Sequence, residues 1–386
     1  MRRLALTSTA LLASALLVSG CAVSATTSST PTASSSASTI ESSSTVAVDT
    51  SNASGDIDWS ALPTTEVALT DDGLTITEAG TYVLSGSTTG QIVVGTDGNV
   101  RIILNGATIA SNAGAAIQVD SAETTVIELA DGTSNTVSDA STRTDEEIDG
   151  AIYSADDLII TGTGSLDVTA TFADGIVGKD DLWIESGTIT VESVDDAIRG
   201  TDSLTVSGGT ITIDAAGDGM KSTNDSDAGA GQLVVSGGDI TITTGDDAVK
   251  AEQQVTITGG TIDILESVEG IEAPVIVIDG GEISLNASDD GINAAASAIV
   301  TNGLNVTING GDITIVMGSG DTDAIDSNGD LTITGGTIDI TGQSSTDFDG
   351  TGTFSGGTLI VNGEQLTELS GQMMGGGGGG GGGGRP

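Results

Sequence analysis

The chain contains no histidine. Every triad or acid–base scheme that depends on an imidazole is thereby excluded. Its single cysteine, Cys21, lies near the N-terminus, so metals that prefer nitrogen and sulfur, zinc above all, lack ligands. Basic residues number 9 against 55 acidic ones, for a formal charge of −46. Nothing offsets phosphate repulsion, and nucleic acid is excluded as a partner. Proline occurs 4 times in 386 residues, which suits continuous parallel ladders that use every backbone N–H. Aromatic residues make up only 2%, so each is informative. Beyond the first twenty residues no apolar run is long enough to read as a membrane-spanning helix.

What is abundant is one short phrase, repeated. From Ser186 to Ser355 the text Ser-Gly-Thr-Ile-Thr-Val recurs with small changes. The glycine opening each copy falls at Gly187, Gly208, Gly237, Gly259, Gly280, Gly310, Gly335 and Gly356, with gaps of 21, 29, 22, 21, 30, 25 and 21 residues. A base period of 21 with insertions predicts a solenoid whose units bury their apolar faces by stacking, the insertions forming loops. Thr210-Ile211-Thr212-Ile213 alternates with period two and reads as a strand with isoleucine inside and threonine outside. Leu182-Trp183-Ile184, Leu204-Thr205-Val206 and Val255-Thr256-Ile257 supply a second short strand per unit. Gly-Gly pairs between strands allow sharp corners. The expected fold is all-β: a right-handed parallel β-helix with coils of about 21 residues.

Both ends read as something other than domain. Residues 1–20 carry Arg2 and Arg3, then an apolar run, and end in Val18-Ser19-Gly20 before Cys21. That is a lipoprotein signal peptide with a lipobox, which would leave Cys21 lipid-modified at the new N-terminus. The expected location is the outer face of the cell membrane, held by the lipid alone. Residues 21–55 are rich in Ser and Thr and read as a disordered tether, 56–370 as the β-helix domain, and 371–386 as a Gly-rich disordered tail. A monomer is expected.

The acids are placed, not scattered. Each Thr-Ile-Thr-Ile strand is followed by an acid, a small residue and an apolar one: Asp174, Asp196, Asp218, Asp247, Glu269, Asp290 and Asp323. Asp195, Asp246 and Asp289 add a second acid directly before. Equivalent positions in stacked coils lie about 4.8 Å apart, where bare carboxylates repel. Calcium, which takes six to eight oxygens, would relieve that repulsion. The competing account is that each Asp caps its corner by accepting from nearby backbone N–H groups. A weaker acidic register follows at Asp156, Asp180 and Asp202.

The scarce bases share one place, three residues after the ladder acid: Arg199, Lys221 and Lys250. They form either salt bridges within each repeat or a clamp for an acidic or hydroxyl-rich polymer. Trp183 lies between inward Leu182 and Ile184 and so faces out, where it can stack on a sugar ring or meet an inserted loop. Tyr153 and Phe172 are expected on its face. No catalytic residue stands out, because a repeat produces carboxylate pairs everywhere.

Several segments resemble a bacterial family of parallel β-helix carbohydrate-binding proteins, related in fold to the calcium-dependent family 9 pectate lyases. They are Leu74-Thr75-Ile76 through Gly80-Thr81-Tyr82-Val83-Leu84-Ser85-Gly86, Val100-Arg101-Ile102-Ile103-Leu104-Asn105-Gly106, and Ala151-Ile152-Tyr153-Ser154-Ala155-Asp156-Asp157-Leu158. The later Asp-Gly-Ile-Lys-like motifs carry the resemblance further, over roughly residues 56–366. It implies a polysaccharide partner (cellulose, acidic pectin or a cell-wall glycan), several calcium ions, and calcium positions at Asp174, Asp196, Asp218, Asp247 and Asp290. The family's usual Lys is kept at Lys221 and Lys250, but stands as Arg199, Glu272, Asn293 and Asp326 in other repeats. Two functions follow as expectations: a surface module binding polysaccharide, or a calcium-dependent lyase acting by β-elimination. Ice binding is a third reading, opposed by Asp239, Asp263, Glu282, Asp312 and Asp339 interrupting the outward threonines.

Overall fold

The computed structural model describes residues 53–319 and 322–369, which fall in one compact unit, Ser43–Pro386. The signal peptide, Cys21, most of the tether and the Gly-rich tail lie outside the described residues. Among the described residues no helix is long and apolar enough to cross a membrane. Regular structure is β throughout, apart from two short 3₁₀ turns, Ala53–Asp56 and Trp59–Ala61.

The 21-residue period becomes three strands per repeat. Ser203–Val206, Thr210–Ala215 and Met220–Ser222 form one such set. Each pairs in parallel with its equivalents one repeat before and one after: Ser203–Val206 with Asp181–Ile184 and Gln232–Val235, and Thr210–Ala215 with Thr188–Ser193 and Asp239–Thr244. Met220–Ser222 does so with Ile198–Gly200 and Val249–Ala251. First and second strands together make a 24-stranded sheet, and third strands a 12-stranded one. Among the described residues the one antiparallel pair is Thr358–Val361 with Glu364–Leu366, at the C-terminal end.

Strict register turns the sequence period into side-chain columns. Ile189, Ile211, Ile240, Ile262, Ile283, Ile313 and Ile338 are successive partners, and none is more than 1% exposed. Each buried isoleucine contributes about 1.5–3 kcal/mol of transfer free energy. Thr188, Thr210 and Thr261 alternate with them on the outward side. The Gly-Gly corners divide their work. A Cβ on Gly208 would sit 2.5 Å from the Glu185 carbonyl oxygen one coil back, while Gly209 holds a φ of +97°. The first glycine therefore permits close stacking of corners, and the second permits the left-handed turn.

The insertions behave as loops. Residues 223–231 and 295–304 both leave after a third strand and return to a first one, so they project from the same corner of the stack. A further insertion, 139–149, precedes the third strand Gly150–Ser154.

Candidate functional site

The third strands carry the chemistry on their outward positions. Register aligns Val177, Arg199, Lys221, Lys250, Glu272, Asn293, Asp326 and Asp347 in one column. The basic row expected from spacing is thus a continuous column for three coils, and then it turns polar and acidic.

The ladder acids sit at the corner leading into these strands. Asp174, Asp196, Asp218 and Asp247 are all buried. One carboxylate oxygen of each of the last three accepts a backbone N–H from the equivalent residue one coil on: Asp218 N–H to Asp196 Oδ1 at 2.9 Å, Asp247 N–H to Asp218 Oδ1 at 3.0 Å, and Glu269 N–H to Asp247 Oδ1 at 3.2 Å. Asp323 N–H reaches Asp290 Oδ1 in the same way at 2.9 Å. These acids do cap corners, but the corner belongs to the next coil. Asp195, Asp246 and Asp289 remain exposed beside them.

The other oxygen meets a cation. Arg199 holds Asp174 at 2.7 Å and also Asp149 of the 139–149 loop. Lys221 bridges Asp196 at 3.2 Å and Asp218 at 2.6 Å. Lys250 bridges Asp247 at 2.6 Å and Glu272 at 2.5 Å. Each cation therefore links carboxylates of two coils, which removes most of the repulsion along the first half of the ladder.

Beyond Lys250 that compensation stops. Oxygens of Asp247, Glu269 and Glu272 lie within 4.8 Å of one another, as do those of Asp218, Asp246 and Asp247. Asn293 donates to Glu269 Oε1 at 3.0 Å. Glu269 Oε2 and Asn293 Oδ1 are buried and have no hydrogen-bond partner among the described residues. Burial, followed by the charge of Glu272, pushes Glu269 up to about 8. Burial, with Asp290 and Asp323, pushes Asp326 up to about 6. These are the marks of carboxylates short of positive charge.

A cleft of about 300 Å³ opens at this junction, lined by Lys250, Glu272, Asp225 and Glu252 and walled by 295–298. Asp225 and 295–298 come from the insertions 223–231 and 295–304, so two inserted loops frame a concavity beside the column.

Trp183 is outward and half-buried, with Ile159 and Thr205 as register partners. It does not share a face with the other aromatics. Tyr153 sits on a third strand opposite Val177, and Phe172 lies under the Arg143 guanidinium at 4.6 Å. The expectation that the three cluster fails because Trp183 stands on a first strand, Tyr153 on a third strand and Phe172 at the corner before one.

Sequence reasoning missed the loop partners. Asp149 on Arg199, and the buried Arg143–Asp139 pair at 2.6 Å, join residues whose spacing the repeat does not fix. The available signal was rarity: Arg101, Arg143 and Arg199 are the only arginines between residues 4 and 384, and all three are ion-paired.

A third carboxylate group, Asp157, Asp180 and Asp181, lies at another corner. Burial, then the charges of Asp181 and Asp180, push Asp157 up to about 6. A carboxyl raised in the folded state favours folding below its unfolded value and loses that contribution as pH rises through about 6. Asp157→Asn is therefore expected to stabilise the protein near pH 7, by of order 1 kcal/mol once solvent screening is allowed for, and to change little near pH 4. Melting curves of both proteins at the two pH values, in chelator, check this; equal shifts at both would refute it.

A family model described as carbohydrate-binding domain-containing protein matches residues 70–319. A carbohydrate-binding domain-containing protein of Acetivibrio thermocellus is 40% identical over 126 residues, covering 31% of this chain and 44% of the relative. The chain thus spans less than half the length of that relative. Among solved structures, a polysaccharide lyase-like protein from C. thermocellum aligns with a TM-score of 0.42 at 25% identity, over 75% of this chain and 91% of that one. Since the family model spans most of the chain, the protein belongs to the carbohydrate-binding domain family.

Proposed function

We propose that this protein is a lipid-anchored surface module, held through Cys21, whose right-handed parallel β-helix binds polysaccharide at the corner beside Lys250. The observation that carries the reading is the cleft of about 300 Å³ set between two inserted loops on the one column that concentrates charge. Its carboxylates accept hydrogen bonds from sugar hydroxyls, as polar groups in ligand clefts do.

Calcium fits the second half of the ladder better than the first. Asp196 and Asp218 already have both oxygens engaged by backbone and cations, and Asp174 has one held by Arg199. Glu269, Glu272 and Asn293 offer an all-oxygen set with two buried atoms lacking partners, which is the donor chemistry calcium takes. A cation there would neutralise the acids and give an acidic polymer a point of approach.

The lyase reading needs a base able to take a proton. Burial pulls Lys250 down, but its hydrogen bonds to Asp247 and Glu272 outweigh this and hold it well above the usual lysine value. Lys221 is raised in the same manner by Asp218 and Asp196, against its burial. Ammonium groups so held are poor proton acceptors, and this favours binding over elimination.

The protein would be tested for retention on cellulose and polygalacturonate, with and without chelator. Retention on at least one is expected, with calcium needed for the acidic polymer. Asp225→Ala combined with Glu252→Ala should weaken it about tenfold, roughly 1.4 kcal/mol. Unsaturated uronate products appearing steadily with calcium would replace binding by elimination, and no retention on any polysaccharide would sink both.

A further inference from the structure

One charge interrupts the second strands. Four residues after the inward isoleucines Ile211, Ile240, Ile283 and Ile313 stand Ala215, Thr244, Ala287 and Met317. These are the last inward residues of their strands, and none is more than 8% exposed. After Ile262 the same position holds Glu266. A lone carboxylate is too costly to bury in an apolar stack, and Glu266 is exposed. The register slips with it: Thr243 pairs with Glu266, and Leu265 is left over as a bulge. Towards the following coil, the paired residues end at Ile264 and Leu285. Ser267 turns in instead, 3% exposed. Side chains patch the ladder, Ser267 Oγ donating to the Asn286 carbonyl and Asn286 Nδ2 to the Ile264 carbonyl, both at 3.4 Å.

The lapse leaves a pocket of about 260 Å³ between the coils. Ala287 and Met317 line it, together with Leu265 and Val316. Leu265 and Val316 are 50% and 41% exposed, and Val194 is the one other large apolar side chain so exposed among the described residues. Val316 pairs with Asn286 one coil back, and Leu265 belongs to the coil before that. The two apolar groups therefore stand about 10 Å apart, two coil spacings. The hydroxyls of Ser267 and Ser288 and the amide of Asn286 complete the lining, and its one charged group is Glu266. No cation lines it among the described residues.

That lining sorts ligands. Apolar walls with a few convergent polar groups hold small organic rings, and drug-sized ligands take roughly 300–1,000 Å³, so this smaller space suits a single ring. An anionic sugar is opposed by Glu266, and by Glu269 and Asp290, which follow Ser267 and Ser288 by two residues. A protein partner needs a far larger apolar surround, whereas Asp263, Asp312 and Asp339 punctuate the same outward face. We propose that the pocket seats one uncharged pyranose unit of a polysaccharide, its C–H face against Leu265 and Val316 and its hydroxyls toward Asn286 and Ser288. The assignment rests on the polysaccharide binding proposed above and adds a second seat to it. The cleft beside Lys250 lies where the third strands end, and this pocket lies at the corner before they begin, with Ile271–Glu272 and Ile292–Ala294 between. A neutral glycan thereby gains a contact that an acidic one does not share.

The test compares retention of the full chain on cellulose and on polygalacturonate, both in calcium. Leu265→Ala combined with Val316→Ala is expected to weaken retention on cellulose about tenfold, through lost apolar contact, and to leave polygalacturonate unchanged. Val194→Ala, outside the pocket, should change neither. Glu266→Ala supplies a variant that keeps the fold. It restores the residue found at Ala215 and Ala287, so it is expected to turn inward, close the pocket, raise the melting temperature and weaken cellulose retention as the double variant does. Glu266→Gln, still too polar to bury, should weaken it far less. Cellulose retention unchanged in the double variant, or unchanged in Glu266→Ala despite a higher melting temperature, would overturn the assignment. So would equal losses on the two polymers, or self-association of the unaltered protein that the double variant abolishes, which would give the pocket to a second copy. Retention on polygalacturonate alone removes the neutral-sugar seat and leaves polysaccharide binding standing, whereas retention on neither polymer removes both.

Discussion

Arg143→Ala is expected to destabilise the fold by about 3–5 kcal/mol, the range for breaking a buried ion pair from one side. The Arg143 and Asp139 side chains are 2% and 0% exposed. The guanidinium also donates to the carbonyls of Ile148 at 2.8 Å, Ala140 at 2.5 Å and Gly150 at 3.2 Å, and lies over Phe172. One side chain therefore ties both ends of the 139–149 loop to the stack. Its removal strands a buried carboxylate whose remaining partners are the N–H and hydroxyl of Thr171. Arg101→Ala provides the contrast. Its partner Glu128 lies at 3.3 Å with both side chains a quarter to a third exposed, and a loss of at most about 1 kcal/mol is expected. Urea midpoints for the two variants should differ severalfold in displacement. Comparable displacements would show that the 139–149 loop contributes little. Adding Asp139→Asn to Arg143→Ala should recover part of the loss, since the uncompensated charge is then gone.

That clamp also marks the limit of what a repeat reveals. The strands, their inward isoleucines and the alignment of Arg199 with Lys221 and Lys250 were legible because they recur at fixed offsets, and stacking converts offset into contact. The corner acids were legible as a row. Their partners were not, because Asp218 reaches across 29 residues to Asp247 where Asp196 reaches across 22 to Asp218. An insertion changes the spacing without changing the contact. Asp149 and Arg143 belong to a loop that occurs once, so no second copy exposes its pattern. The departures of Glu272, Asn293 and Asp326 from lysine were visible as sequence drift. Their physical meaning came only with the register, which shows a column of cations ending at Lys250 above carboxylates that continue.

That ending predicts where calcium acts. If the cation sits at Glu269, Glu272 and Asn293, it binds the folded chain alone and stabilises by mass action, about 2.7 kcal/mol at a hundredfold excess over its dissociation constant. Magnesium should do less, because a small, rigid octahedral shell fits a set of side chains shared between coils poorly. Glu272→Lys supplies the discriminating variant. It extends the basic column by one coil, and Arg199, Lys221 and Lys250 already tolerate one another as successive partners when carboxylates alternate with them. The new ammonium would face Glu269, the carboxyl that burial and Glu272 itself hold at about 8. In chelator this variant is expected to melt above the unaltered protein, and to gain little from calcium. The unaltered protein should gain most of the shift, and Asp195→Asn, at an exposed acid on the compensated half of the ladder, should behave like it. Loss of the calcium response in Asp195→Asn with retention in Glu272→Lys would move the ion to the first half of the ladder. A response absent from all three proteins would leave the acids as corner caps and ion-pair partners alone.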